Sequence, residues 1–273
     1  MLEGSIDPDL VAFAKTNAIR VMPLVTNKKF NKVSGQGILD DPAKQDAAIS
    51  ALATEALKQG FWGWQFDFEQ LDASYRDKYS AFIKKASETL KSNNLKTSVA
   101  VVAQVSSDPG DYKENLWQNL IGVYDYAALA SSTDFVTVMA YDDPDSKGPV
   151  ARYSWVKRVI QYSLHYIPSE KLSLGIPFYY WKWSDATKKL VAIGGWQGLK
   201  NVFNKYGPTP KYSTVEQSPY IRYTAKKKHY TIWYENARSI QKKLDLVTSY
   251  HLHGFSAWAL GLEIPDIHRI MKR

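Results

Sequence analysis

Cysteine is absent from the 273 residues, which excludes disulfides and thiolate chemistry of any kind. That absence is equally at home in the cytosol and in a cysteine-poor bacterial envelope. No apolar run approaches the roughly eighteen residues that a membrane span requires. The start, Met1-Leu-Glu-Gly-Ser5, has neither the basic residues nor the apolar stretch of a secretory signal. Histidine is scarce, and the five at positions 165, 229, 251, 253 and 268 show no His-Glu-x-x-His or similar spacing. A metal centre is therefore not expected, and nothing calls for a cofactor. Low-complexity segments and short tandem repeats are also missing.

What is present is ordinary globular composition, 45% hydrophobic and 23% charged, at a length that suits one large α/β domain or two small ones. A formal charge of +8 predicts attraction to polyanions. Most lysines are scattered over predicted helix surfaces. The one dense run, Lys226-Lys-Lys-His229, lies between two strand-like segments and reads as a solvated hairpin turn, with contact to an anionic polymer as the alternative. No nucleic-acid motif accompanies the charge, and the aromatics fall on strand ends and helix stripes, so a nucleic-acid partner is not expected.

Strand-like and helix-like segments alternate along the chain. Ile19–Thr26 reads as a strand. Ala43–Lys58 carries Ile49, Leu52, Ala53, Ala56 and Leu57 at helical spacing and stops at Gly60. After the strand Phe61–Glu69 comes a helical stripe of Tyr75, Tyr79, Phe82, Ile83, Ala86 and Leu90. Leu95–Ala103 and Phe135–Tyr141 are apolar runs of the kind buried on both faces in a parallel sheet. Trp155–Tyr166 is a helix, Leu172–Phe178 a strand, Ala237–Ser249 a helix and His253–Trp258 the last strand. This order predicts an α/β fold with a parallel sheet and right-handed crossovers. Residues 184–232 break the rhythm with Gly194-Gly195, Pro208, Pro210 and short aromatic runs, and read as a small α+β insertion.

The nonapeptide Phe61-Trp-Gly-Trp-Gln-Phe-Asp-Phe-Glu69 carries the chemistry. Read with period two, it sends Gln65, Asp67 and Glu69 to one face and Trp64, Phe66 and Phe68 to the other. Two carboxylates on a buried face are costly unless they have work to do. Held that close they resist ionising together, so one pKa is expected to rise, as a proton donor near neutrality requires. Two other strand ends are unusual. Met139-Ala-Tyr-Asp142 puts Met139 and Tyr141 on one face with Asp142 at the turn, and Gly254–Gly261 ends a strand in Trp258. Polar and aromatic groups at the C-terminal ends of parallel strands form the mouth of a barrel enzyme. Asn27, after Thr26, faces the same mouth or is a turn-forming asparagine. Glu235 hydrogen-bonds a ligand from the rim or is simply a helix-start carboxylate.

Together these motifs resemble glycoside hydrolase family 18, the chitinase-like enzymes. That family carries Asp-Gly-x-Asp-x-Asp-x-Glu on its fourth barrel strand. Here the aligned stretch runs from Trp62 to Glu69; Gly63, Asp67 and Glu69 match, while Trp62 and Gln65 replace the first two aspartates. Met139, Tyr141 and Asp142 match the Met-x-Tyr-Asp of strand six, and Trp258, Leu260 and Gly261 the Trp-x-Leu-Gly of strand eight. Gly148-Pro-Val-Ala-Arg with Trp155-Val156, and Trp233–Ser239, resemble the branch of spore-cortex and cell-wall N-acetylglucosaminidases.

The resemblance implies a (β/α) barrel of the TIM type over residues 1–273, containing 184–232 as its insertion. It also implies cleavage of β-1,4-linked N-acetylglucosamine glycans, chitin or peptidoglycan, by substrate-assisted retention. Glu69 would be the general acid, and Asp67 would orient the acetamido group. Tyr141 would donate to the acetamido oxygen with Asp142 alongside, Trp258 would floor the subsite and Met139 would pack under the sugar. Gln65 is expected to hydrogen-bond Asp67. Only strands three to eight are found. Either the front of the barrel is missing from this sequence, or another chain covers the gap, or the barrel is shortened; the last two together are the expectation, as in a homo-oligomer. The site of action would be extracellular or in the cell envelope. A non-hydrolytic, lectin-like relative is the competing reading, and the presence of Glu69 argues against it.

Overall fold

The computed structural model describes residues 3, 4 and 6–271. Met1, Leu2 and Ser5, part of the stretch read as lacking a secretory signal, lie outside the described residues. Among the described residues, no helix is long and apolar enough to cross a membrane. The chain falls into two compact units, one formed by residues up to Val138 with Ser163–Leu172, the other by Met139–Tyr162 with residues from Ser173 onward.

The first unit opens with helix α1 (Pro8–Thr16), whose N-cap Asp7 accepts a hydrogen bond from the Asp9 amide. There follow β1 (Leu24–Thr26), α2 (Lys32–Leu39), α3 (Pro42–Gln59) and β2 (Gly63–Asp67). Next come α4 (Arg76–Ser92), β3 (Lys96–Val102), the single turn α5 (Glu114–Leu116), α6 (Tyr126–Ser132) and β4 (Phe135–Met139). β2 lies parallel between β1 and β3, and β4 follows β3. The expected strand from Ile19 narrows to three residues. Pro23 cannot donate to a ladder, although the carbonyls of Val21 and Pro23 still accept from the Trp62 and Gln65 amides.

The apolar face of β2 is covered as the alternation predicts. Trp64 donates its indole N–H to the Leu52 carbonyl of α3, and Phe66 and Phe68 pack against Phe82 and Tyr79 of α4. The motif glycine has a steric reason. A Cβ on Gly63 would sit 1.9 Å from the carbonyl oxygen of Lys96 on the adjacent strand.

The second unit contains α7 (Tyr153–Ser163) and β5 (Leu172–Pro177), then β6 (Tyr180–Ser184), β7 (Leu190–Gly194), α8 (Trp196–Tyr206), β8 (Lys211–Ser213), β9 (Ser218–Ala225) and β10 (Lys228–Trp233). Helix α9 (Ala237–Ser249) leads into β11 (Gly254–Trp258), which pairs in parallel with β5. Strands β6 to β10 form a separate antiparallel sheet in the order β7-β6-β10-β9-β8. This is the α+β insertion, beginning at Tyr180. The lysine run is its tight hairpin: Ala225 pairs with Lys228, and Lys226 and Lys227 have φ of 48° and 61°. Positive φ at both central residues is the geometry of a two-residue hairpin turn.

Gly63→Ala forces a methyl group into backbone that cannot yield. It is expected to lower stability by about 1–3 kcal/mol or more or to abolish soluble expression. A melting temperature equal to wild type would contradict the packing described for β2.

Candidate active site

Asp67 ends β2 on the face opposite Phe66, and it is 5% exposed. Its Oδ1 is buried without a hydrogen-bond partner among the described residues. Burial raises its pKa from the ordinary 3.8 to about 6. A raised carboxyl was expected from repulsion between Asp67 and Glu69, but here the cause is loss of water.

Gln65 lies two residues earlier on the same face. Its amide donates to Ser98 Oγ at 2.9 Å and Thr137 Oγ1 at 3.0 Å, reaching the strands on its far side. Those two bonds use both amide hydrogens. The expected donation from Gln65 to Asp67 is therefore not made, and Gln65 ties neighbouring strands together instead.

Glu69 follows the strand and is half-buried. Its main chain is held by Asn27, which stands immediately after β1 and is fully buried. Asn27 Oδ1 accepts the Glu69 amide at 3.0 Å, and Asn27 Nδ2 donates to the Glu69 carbonyl at 2.9 Å and to the Asn31 carbonyl at 3.1 Å. Asn27 is expected either to face the mouth or to form a turn. Its complete burial and its pairing with main chain exclude the mouth contact: it is a clamp on the main chain of Glu69. Gly35 of α2 makes the room, since a Cβ there would lie 2.5 Å from Leu71 and 3.2 Å from Asn27 Nδ2. Beyond Glu69, Gln70 turns the chain with φ of 56°.

The second unit holds Tyr141, Asp142 and Trp258. Tyr141 is half-buried, and its ring meets Tyr179 edge-on at 6.2 Å. Tyr179 donates its hydroxyl to Asp142 Oδ1 at 2.6 Å. Asp142 has φ of 58° and is exposed as a residue, yet protein crowding its carboxyl raises its pKa, with the Tyr179 bond pulling the other way. Tyr179 was not anticipated; its signal is a tyrosine pair directly after an apolar strand. Asp143 is fully buried and bidentate to Arg152, which anchors the loop that follows Asp142. Met139 is 9% exposed, whereas Trp258, at the end of β11, is 45% exposed.

Glu235 is not on a rim. It is 4% exposed, and its Oε1 accepts from Lys243 Nζ of α9 at 2.8 Å, in a pair whose side chains are only 2% and 1% exposed. Its expected contact with a ligand is replaced by a buried ion pair. Lys243 falls on the apolar stripe of α9 with Ile240 and Leu246, and that placement is the sequence signal for a buried acid opposite it.

Two outcomes are expected from the carboxyl and its neighbour's clamp. Below about pH 4 Asp67 is neutral in both folded and unfolded chains; as pH rises through 6 the folded chain must carry a disfavoured charge and loses stability. Asp67→Asn should therefore be more stable than wild type at pH 8, by up to about 2–3 kcal/mol, with the gap closing toward pH 4 in denaturant titrations. Asn27→Ala leaves the Glu69 amide unpaired and should cost about 1–3 kcal/mol. In Asn27→Ala, kcat should fall more than KM changes, whereas a purely structural asparagine would lower only the folded fraction.

Comparison with known proteins places this geometry. The family model described as Glycosyl hydrolases family 18 matches residues 9–263. The chain is 29% identical over 279 residues to the Uncharacterized glycosylase YvbX of Bacillus subtilis (strain 168), covering 99% of this chain and 79% of that protein. It is 28% identical over 259 residues to the Cortical fragment-lytic enzyme of the same organism, covering 92% of this chain but 58% of the relative. Among solved structures, the Bacillus megaterium QM B1551 spore cortex-lytic enzyme SleL superposes with a TM-score of 0.86 at 27% identity, covering 99% of this chain and 63% of that one. The chitinase from Chromobacterium violaceum ATCC 12472 gives 0.85 at 26%, covering 100% and 85%. The fold is thus the α/β barrel type of the chitinases, and the chain belongs to glycosyl hydrolases family 18.

Proposed function

We propose that this chain hydrolyses β-1,4-linked N-acetylglucosamine glycans, with the cell-wall polymer as its principal target, by a retaining mechanism in which the substrate's own acetamido oxygen is the nucleophile. Glu69 protonates the departing glycosidic oxygen as the acetamido oxygen attacks the anomeric carbon. The same carboxylate then takes a proton from water as the oxazolinium ion opens. Asp67 accepts the acetamido N–H and stabilises the positive charge that grows on that group. Tyr141 donates its hydroxyl to the acetamido oxygen, Asp142 adds a polar contact, and Met139 and Trp258 supply apolar surface to the sugar.

The observation that carries this reading is Asp67. A buried carboxylate with an unpartnered oxygen, two residues before the matching glutamate, suits a group that must meet a developing cation. The spacing of Met139, Tyr141 and Asp142 supports the remaining roles. Cortical fragment-lytic relatives favour the wall polymer over chitin and, with it, action at the cell envelope.

Release of reducing ends from chitooligosaccharides and purified peptidoglycan tests the assignment. Glu69→Gln is expected to lower kcat by about 10²–10⁴-fold with KM little changed, the typical contribution of a general acid. Equal turnover by the two proteins would sink the role given to Glu69. Because Asp67 must be charged, kcat/KM should also fall as pH drops below about 6.

A further inference from the structure

One face of the antiparallel sheet is covered by α8; on the other, Trp181 and Trp183 are buried with Val150 and Tyr179, while Trp233 and Tyr220 stay half-buried. Tyr180, Ile221, Tyr223 and Ile232 point toward α8, where they pack with Leu199, Val202 and Phe203. Strand alternation sends the intervening residues to the opposite face. There the register places Trp181, Trp233 and Tyr220 side by side in one row, and Trp183, Thr231 and Arg222 in the next. Tyr220 lies over Trp233 at 4.7 Å and Trp181 meets Trp183 at 5.6 Å. Beside them is a groove of about 500 Å³ lined by Lys147, Trp183, Asp185, Lys188, Arg222 and Trp233, among others.

The charge in this groove is lopsided. Lys147, Lys188 and Arg222 line it against a single carboxylate, Asp185, which accepts a hydrogen bond from Thr231 at 2.7 Å. None of the three cations makes a side-chain hydrogen bond or ion pair among the described residues. Packing links one wall of the groove to the tyrosines described above. Trp183 and Tyr179 share one buried cluster, against which Tyr141 and Trp233 pack. The loop from Asp142 ends beside the groove, where Trp183 donates its indole N–H to the Gly148 carbonyl at 2.7 Å.

We propose that this groove is a subsite for an acidic sugar, in which the half-buried Trp233 takes the apolar face of a hexosamine and Arg222, Lys188 and Lys147 take a carboxylate attached to it. The proposal deepens the reading of a wall-glycan hydrolase and rests on it for the identity of the glycan. Aromatic faces accept any pyranose, but unpaired cations add nothing for neutral chitin. They favour a strand whose alternate sugars carry carboxylates, either on an ether-linked lactyl group or on an attached peptide.

The test is made by calorimetric binding to full-length Glu69→Gln, so that it does not depend on turnover. Three probes of equal sugar number are compared: a chitooligosaccharide, a peptide-free wall glycan with open lactyl carboxylates, and a peptide-bearing one. At least one acidic probe should bind about tenfold or more tightly than the neutral one, and that ratio should shrink as salt is raised from 0.05 to about 0.5 M. Preference for the peptide-free probe identifies the lactyl carboxylate as the ligand; preference only for the peptide-bearing probe identifies the peptide. Arg222→Glu with Lys188→Glu, both exposed positions, should abolish the preference while the melting temperature stays near wild type. Equal affinity for all three probes, or a preference untouched by charge reversal, would overturn the proposal. A wild-type protein that cleaves none of these glycans yet keeps the charge-dependent preference would instead remove the hydrolytic reading and leave the subsite standing.

Discussion

Asp67 is asked to be charged in a place that disfavours charge. Its carboxyl is buried at the end of β2 with one oxygen unpartnered, and burial alone raises its pKa to about 6. In an ordinary core such a group would be replaced by something apolar, because a lone buried charge is unfavourable by several kcal/mol or shifts to its neutral form. Such an arrangement suits the role proposed for it, meeting a positive charge that forms on the substrate. The fold accepts a local loss of stability at neutral pH by keeping this carboxyl buried.

Much of the surrounding structure keeps that carboxyl and Glu69 in place. Gln65 ties β2 to Ser98 and Thr137, fixing the strand from which Asp67 projects. Asn27 grips the main chain of Glu69 from the end of β1. Gly63 lets β2 approach β3, and the apolar face is locked by α3 and α4. Replacement of a family aspartate by Gln65 has a physical consequence: the glutamine binds neighbouring strands and leaves Asp67 without that hydrogen-bond donor.

The alternation in Phe61–Glu69 was legible because one strand must satisfy a helix-covered face and a chemical face at once, and period two separates them. The motifs around Tyr141 and Trp258 were legible through order and spacing. Asn27 was not, since an asparagine after a strand looks the same whether its amide faces solvent or clamps a main chain 42 residues away. Helix α2 was missed because Gly35 and Gly37 lower its intrinsic propensity, and Gly35 is there for Asn27 and Leu71. Of the two readings open for Glu235, neither included its buried partner. The lysine on the apolar stripe of α9 held that information, but pairing residues eight apart across a helix cap needs the tertiary fold.

The most direct measurement of the central claim is the titration of Asp67 itself, followed through its side-chain carboxyl ¹³C shift in selectively labelled protein. A midpoint near 6, far above the ordinary 3.8, is the predicted result. A midpoint at or below about 4, the value of a solvated carboxylate, would mean that the group is neither desolvated nor poised, and would contradict the account.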